Sequence, residues 1–246
     1  MCRLAAYLGP SRPLSEIILD PRHSLIAQSQ EALEAKLSVN GDGFGFAWYG
    51  AKPEPGLYKD ILPAWSDNNL LSLCQHISAP LFLAHVRAST VGQTSRQNCH
   101  PFSYGRWSFC HNGQVPHFGA IERTLERALP DHLYAARQGS TDSEMIFLTL
   151  LANGLDDDPH RAMALTLEQI GTGPAPVKIT CTFTDGIAVY GFRHASRGHP
   201  PTLYASGLLD NGGRAFASEP LDGGQWDDVP EGRVVMLQGA KAAYAA

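Results

Sequence analysis

The sequence predicts an α+β fold in which two antiparallel sheets pack together with helices on the outside. Three observations point there. Strand-like segments fill the first and last parts of the 246 residues and helical ones the middle. The alternating strand–helix rhythm of a doubly wound parallel sheet is missing. The 24 Gly and 17 Pro are spread along the chain, as many tight turns require. With no internal repeat, low-complexity tract or linker, the length suits one domain over residues 1–246.

Residues 2–8 read as a short buried strand ended by Gly9-Pro10. Residues 24–37 are weakly amphipathic and helical at least in part. In 44–49 small residues alternate with aromatics in a strand, and 56–62 is its neighbour. A helix is expected over 68–76, a strand in the dense apolar run 81–86, and another over 106–111, entering a turn at Asn112-Gly113. The middle is helical. Apolar residues recur at helical spacing over 118–129. The segment 141–153 opens on Thr141-Asp142-Ser143-Glu144, the pattern of a capping box, and closes at Asn153-Gly154. A third helix, 160–170, stops at Gly171. Strands follow over 177–183, 187–192, 203–206, 214–218 and 234–238, with Asp185-Gly186 a hairpin signal between the first two.

A hydrophobic share of 43% supports a sizeable core, and 17% charged is below the usual quarter. A net charge of -5 without any Lys/Arg-rich run argues against nucleic acid and anionic membranes as partners. No stretch reaches the ~20 apolar residues of a membrane-spanning helix. The first residues lack the basic flank and apolar run of a signal peptide. Five cysteines, Cys2, Cys74, Cys99, Cys110 and Cys181, are odd in number and form no C-x-x-C pair. They read as reduced thiols of a cytoplasmic protein, not as a disulfide framework or zinc site. The ten histidines show no H-x-x-x-H spacing, so no metal is expected.

Chemistry enters at Met1-Cys2-Arg3. Cys2 is small enough for the initiator methionine to be removed, which would put a thiol and a free α-amine on one residue. The reference pKa values are ~8.5 for the thiol and ~7.7–8.0 for the amine, so the amine is poised to take the thiol proton near neutral pH. That is a nucleophile carrying its own general base. Retained Met1 would block the amine as an amide.

Further segments line up behind Cys2: Asn40-Gly41-Asp42-Gly43-Phe44-Gly45, Ala84-His85-Val86-Arg87-Ala88-Ser89-Thr90, Asn98-Cys99-His100-Pro101-Phe102, Cys110-His111-Asn112-Gly113, Gly139-Ser140-Thr141-Asp142-Ser143-Glu144 and Ala217-Ser218-Glu219-Pro220-Leu221. In this order, after Met-Cys, the chain resembles the class-II glutamine amidotransferases, the cysteine branch of the N-terminal-nucleophile hydrolases. The resemblance runs from Cys2 to about Pro220 and implies a four-layer αββα sandwich. It implies that Cys2 attacks a γ-carboxamide through a thioester. It gives the Asn112 side chain and the Gly113 amide the oxyanion, Arg87 with Thr90 the substrate α-carboxylate, and Asp142 the α-ammonium. Arg87 and Asp142 together would read a γ-glutamyl group, and no cofactor is implied.

Each residue also has an ordinary structural reading. Asn112-Gly113 could be a simple turn, Arg87 a solvated strand end, and Asp142 a carboxylate favoured by the helix dipole. His100 and His111 read as structural, Cys99 and Cys110 as small apolar residues, and Asn40 and Asp42 as shaping a loop near Cys2. About two dozen residues follow Leu221, too few for the ammonia-accepting domain of the large biosynthetic members. The resemblance is therefore to the small stand-alone γ-glutamyl amidohydrolases of ergothioneine synthesis and glutathione breakdown, with Asn98-Cys99-His100-Pro101 leaning away from the ergothioneine branch. Two alternatives stay open: a glutaminase subunit that needs a protein partner, and a non-catalytic module that binds γ-glutamyl ligands.

Overall fold

The computed structural model describes residues 2–35, 39–89 and 94–237. Its strands are β1 (Arg3–Pro13), β2 (Phe44–Tyr49), β3 (Gly56–Asp60), β4 (Ser78–Val86), β5 (Phe102–Tyr104), β6 (Trp107–Gln114), β7 (Lys178–Thr184), β8 (Val189–Ala195), β9 (Tyr204–Ser206), β10 (Arg214–Ala217), β11 (Trp226–Asp228) and β12 (Val235–Leu237). Its helices are α1 (Ser15–Ile18), α2 (Leu25–Gln30), α3 (Asn68–His76), α4 (Gly119–Ala128), α5 (Asp131–Ala136), α6 (Asp142–Ala152) and α7 (Pro159–Ile170).

Among the described residues the strands form two antiparallel sheets. One has seven strands in the order β11-β9-β10-β1-β4-β2-β3, the other five in the order β12-β8-β7-β6-β5. Three buried clusters separate four layers. Leu4, Ala6, Leu83, Cys110 and Phe216 lie between the sheets. Ala5, Tyr7, Ile17, Leu25 and Leu70 join the seven-stranded sheet to α1–α3. Phe109, Ile179, Phe183, Ile146 and Met163 join the other sheet to α4–α7. The predicted αββα sandwich is thus observed.

Period-2 side-chain alternation explains why β1 reads as a continuous apolar run: Leu4 and Ala6 face one layer, Ala5 and Tyr7 the other, and all four are fully buried. In β7 the two faces differ. Ile179, Cys181 and Phe183 pack under the helices, while the alternate Thr180, Thr182 and Thr184 are buried on the opposite face. Helix α6 is buried from Asp142 to Leu150, the pattern of a central rather than a surface helix.

Several sequence expectations need correction. Gly9-Pro10 does not end β1; the strand continues to Pro13 through a register shift between Leu8 and Arg12, which still pairs with β4. Asn112-Gly113 is not a turn. Both residues sit in the β6–β7 ladder, opposite Thr180 and Ile179, because long-range pairing overrides local turn propensity. Helix α2 stops at Gln30, and part of the 24–37 segment lies outside the described residues, as does Gln238. The short α1, α5, β5 and β11 had no periodic signal to reveal them. The hairpin at Asp185-Gly186 is present between β7 and β8.

Candidate active site

Cys2 lies at the mouth of the sandwich, one residue before β1 pairs with the end of β4 (Arg3 opposite Val86). It is partly exposed. Its Sγ sits 3.4 Å from the Ala88 amide, which donates to it, and 3.6 Å from the Ala88 carbonyl. Surrounding protein pushes the thiol pKa above its ordinary value, while the Ala88 N–H and the charges of Arg87 and Arg3 pull it back.

The turn before β2 holds that backbone in place. Asp42 N donates to Arg87 O (2.9 Å), Arg87 N to Gly43 O (2.8 Å), and Ser89 N to Asp42 Oδ2 (2.7 Å). Gly43 has φ +113°, and a Cβ there would stand 2.6 Å from Cys99 Sγ and 2.8 Å from Asp60 O. Only glycine fits. Asp42 therefore shapes the loop beside Cys2, as the sequence suggested, whereas Asn40 is tied to α2, its N donating to Ser29 O (2.7 Å). Arg87 is buried and follows directly on β4. Thr90 lies outside the described residues.

Strand β6 approaches from the other sheet. Tyr49 Oη meets Ser108 Oγ (2.8 Å) at one end of the sandwich, and His85 Nε2 meets the His111 carbonyl (3.1 Å) nearer the other. β4 and β6 therefore advance the same way, which carries Asn112-Gly113 to the end where Arg87 and Cys2 lie. The Asn112 side chain is buried, and neither its Oδ1 nor its Nδ2 has a hydrogen-bond partner among the described residues. Buried amides are rarely left so, since the lost hydration costs about 1–3 kcal/mol.

Asp142 opens α6. The N-cap Thr141 Oγ1 accepts from Glu144 N (3.2 Å), the forward half of the capping box. The return half is absent: Glu144 instead accepts from Gln138 N (2.9 Å) and Gly139 N (2.7 Å), fastening the loop ahead of the helix. Asp142 Oδ2 accepts from Val115 N (2.8 Å), just beyond β6, so the carboxylate is tied to the strand that carries Asn112.

Three buried histidines stand behind these residues. His111 Nδ1 meets Ser143 Oγ (2.8 Å), and His85 Nε2 lies 2.8 Å from His100 Nδ1. Burial pushes His85 down to about 3 and His100 well below its ordinary value. His111 is also lowered by burial, although the Asp142 charge opposes this. Groups held this neutral are weak proton acceptors. Cys99 and Cys110 are fully buried, with thiols pushed up by burial.

Arg3 and Glu219 received no role from sequence. Arg3 Nε donates to Cys2 O (2.7 Å) and its Nη1 to Glu219 Oε1 (2.9 Å), with both side chains buried. Adjacency to Cys2 and the Ser218-Glu219 motif were the available signals, but the 216-residue separation hid the pairing. Among the described residues no cluster of three or more His, Cys, Asp or Glu is arranged for a metal, and no helix is long and apolar enough to cross a membrane.

Known proteins resemble this chain in sequence and in fold. Residues 15–170 match the family model described as glutamine amidotransferases class-II. A Saccharomyces cerevisiae protein named probable glutamine amidotransferase DUG3 is 42% identical over 161 residues, 61% of this chain but 45% of its own length. The gamma-glutamyl-hercynylcysteine sulfoxide hydrolase of Mycolicibacterium smegmatis is 28% identical over 243 residues, 98% of this chain and 97% of its own. Among solved structures, a glutamine aminotransferase class-II domain protein from Silicibacter pomeroyi matches with a TM-score of 0.75 at 36% identity, covering 96% of this chain and 94% of that one. The glutamine phosphoribosylpyrophosphate amidotransferase of B. subtilis shares the fold at 14% identity, with a TM-score of 0.66 over 96% of this chain and 47% of that one.

Proposed function

This chain belongs to the class-II glutamine amidotransferases, and from that premise we propose that it is a thiol amidohydrolase cleaving a γ-glutamyl amide, its residues 1–246 forming one catalytic domain. The observation that carries the reading is the company Cys2 keeps. Among the described residues the hydrogen-bond partners of its thiol are backbone atoms of Ala88, and no histidine pairs with it. A base for the thiol proton is then supplied by Cys2 itself, once Met1 has been removed.

In this mechanism the α-amine takes the Sγ proton and the thiolate attacks the γ-carbonyl carbon. The Asn112 Nδ2 and Gly113 N–H groups receive the oxyanion, a contribution of about 2.7–4 kcal/mol per donor in comparable sites. The unsatisfied Asn112 amide supports that role, because a donor left unpaired at rest gains its partner only as charge develops. Collapse breaks the C–N bond, and the Cys2 ammonium returns its proton to the departing amine. Water, deprotonated by the same amine, hydrolyses the γ-glutamyl thioester and releases glutamate.

Arg87 binds the substrate α-carboxylate through paired N–H groups, with Thr90 as a second donor. Asp142 binds the α-ammonium with the lone pairs that Val115 N and Ser143 Oγ leave available. The mycobacterial relative named for γ-glutamyl-hercynylcysteine sulfoxide and the yeast relative named for glutamine share the γ-glutamyl half that these residues would hold.

The test joins intact mass with glutamate release on one sample, using glutamine, glutathione and γ-glutamyl anilide, with Cys2→Ala as control. Protein lacking Met1 should release glutamate from at least one substrate, and Cys2→Ala from none. Processed protein that releases none from all three would overturn the reading.

A further inference from the structure

We propose that Glu219 is a positioning residue for Cys2, acting through the Arg3 guanidinium; the inference rests on Cys2 being the nucleophile. Glu219 follows β10, at the opposite end of the chain from Cys2, and its carboxylate is surrounded by donors. Oε1 accepts from Arg3 Nη1 (2.9 Å) and Glu34 N (3.0 Å); Oε2 lies 2.6 Å from His23 Nε2 and accepts from Leu33 N (3.1 Å). Four contacts fix both oxygens and leave the carboxylate one orientation.

That orientation passes to Cys2. Arg3 is a planar fork, and with Nη1 held by Glu219 its Nε reaches the Cys2 carbonyl at 2.7 Å. The neighbouring residue is pinned as well, since Ser218 Oγ accepts from Leu4 N (3.0 Å) and Ser218 N donates to Leu4 O (2.9 Å). The residue before β1 is thus held by its own carbonyl. Thiol and α-amine both extend from the Cα next to that carbonyl, so fixing it limits how each can point. Attack on an amide tolerates little misplacement of the nucleophile.

The same pair sets the local charge. The Arg3 guanidinium favours thiolate over thiol and free amine over ammonium, and Glu219 partly offsets it. The other ionisable groups facing this assembly are Arg87 from the end of β4, His85 from within β4, Cys110 from β6, Glu34 behind Arg3, and His23 on Glu219.

Two variants test this in protein verified by mass to lack Met1. Glu219→Gln keeps the shape and removes the anion. His23→Gln, at a partly exposed ring, disturbs the same carboxylate with less risk to folding. The readouts are kcat and KM for glutamate release, and the pH dependence of Cys2 alkylation by iodoacetamide, which needs no substrate. The expected pattern for Glu219→Gln is a fall of tenfold or more in kcat, KM within twofold, and an alkylation midpoint moved to lower pH. His23→Gln should show a two- to fivefold fall in kcat with KM again unchanged. Wild-type kcat and an unshifted alkylation profile in both variants would overturn the proposal. If wild-type protein released no glutamate, the functional reading would fail, and the alkylation profiles would still decide the positioning role.

Discussion

Asp142 and Val115 are joined across the gap between a helix and a strand: the Val115 N–H donates to Asp142 Oδ2 at 2.8 Å, so the first residue of α6 is locked to the chain just beyond β6. Its other oxygen, Oδ1, accepts more loosely from Ser143 Oγ at 3.3 Å. Replacing Asp142 with Asn preserves an oxygen for Val115 and removes the charge. Folding should lose only the helix-dipole share, about 0.3–1 kcal/mol. Recognition of an α-ammonium should suffer more, with KM for a γ-glutamyl substrate rising at least tenfold and kcat changing less. Thermal melts beside steady-state kinetics separate the two effects. An unchanged KM would remove Asp142 from the substrate site.

Asn112 should show the opposite division. Its buried amide makes no hydrogen bond among the described residues, so truncation to Ala breaks none and relieves a desolvated polar group. Asn112→Ala is therefore expected to melt within a few degrees of wild type. Loss of an oxyanion donor should lower kcat about 10²–10³-fold. Circular-dichroism melts and single-turnover glutamate release check the pair. A large loss of stability with intact turnover would return Asn112 to the core.

Much of this site was legible in the sequence because it is built from local motifs. Thr141 caps α6 as its spacing predicts, Arg87 stands directly after a buried strand, and Asp42 reaches the amide of Ser89 from a glycine-rich turn. What the sequence hid is long-range. The Arg3–Glu219 pair spans 216 residues, and the assignment of Asn112-Gly113 to a strand depends on β7, more than sixty residues later. Turn propensity and ladder pairing compete at such a dipeptide, and only the partner strand decides. Glu144 likewise turns to Gln138 and Gly139 instead of completing the capping box, because the preceding loop offers two free amides.

Gly113 carries a steric prediction that follows from its ladder position. A Cβ built there would stand 2.0 Å from the Lys178 carbonyl oxygen and 2.5 Å from His111 Nε2. The first obstacle is backbone in the paired strand and cannot rotate aside. Gly113→Ala should therefore push β6 from β7 and destabilise the fold by about 1–3 kcal/mol, the usual range for overpacking. Its urea midpoint should fall at unchanged slope. A wild-type midpoint would mean that β6 and β7 diverge before this residue.

The buried histidines make stability depend on pH at values where surface carboxylates stay ionised. His85 is 1% exposed, and burial pushes its pKa down to about 3 from an ordinary 6.5. Because the folded value lies below the unfolded one, the unfolded chain binds more protons as the pH drops below 6.5. Stability is therefore full above that value and declines as the pH falls toward 3. One pKa unit corresponds to ~1.4 kcal/mol, so the loss from this residue alone reaches the order of 5 kcal/mol at the acid end. His100 and His111 are shifted the same way and add to it. Glu219 acts in a second window. Burial raises its carboxyl, but hydrogen bonds from His23 and the Glu34 and Leu33 amides, with the Arg3 charge, more than reverse this and hold it below 4.5. Its contribution is present above about 4.5 and disappears only below it. Melting temperatures measured from pH 7.5 to 4.5 should fall steadily in the wild type. His85→Gln can still donate to the His111 carbonyl but does not titrate, so its slope over that interval should be visibly shallower. Parallel slopes for the two proteins would show that His85 is not held neutral in the fold.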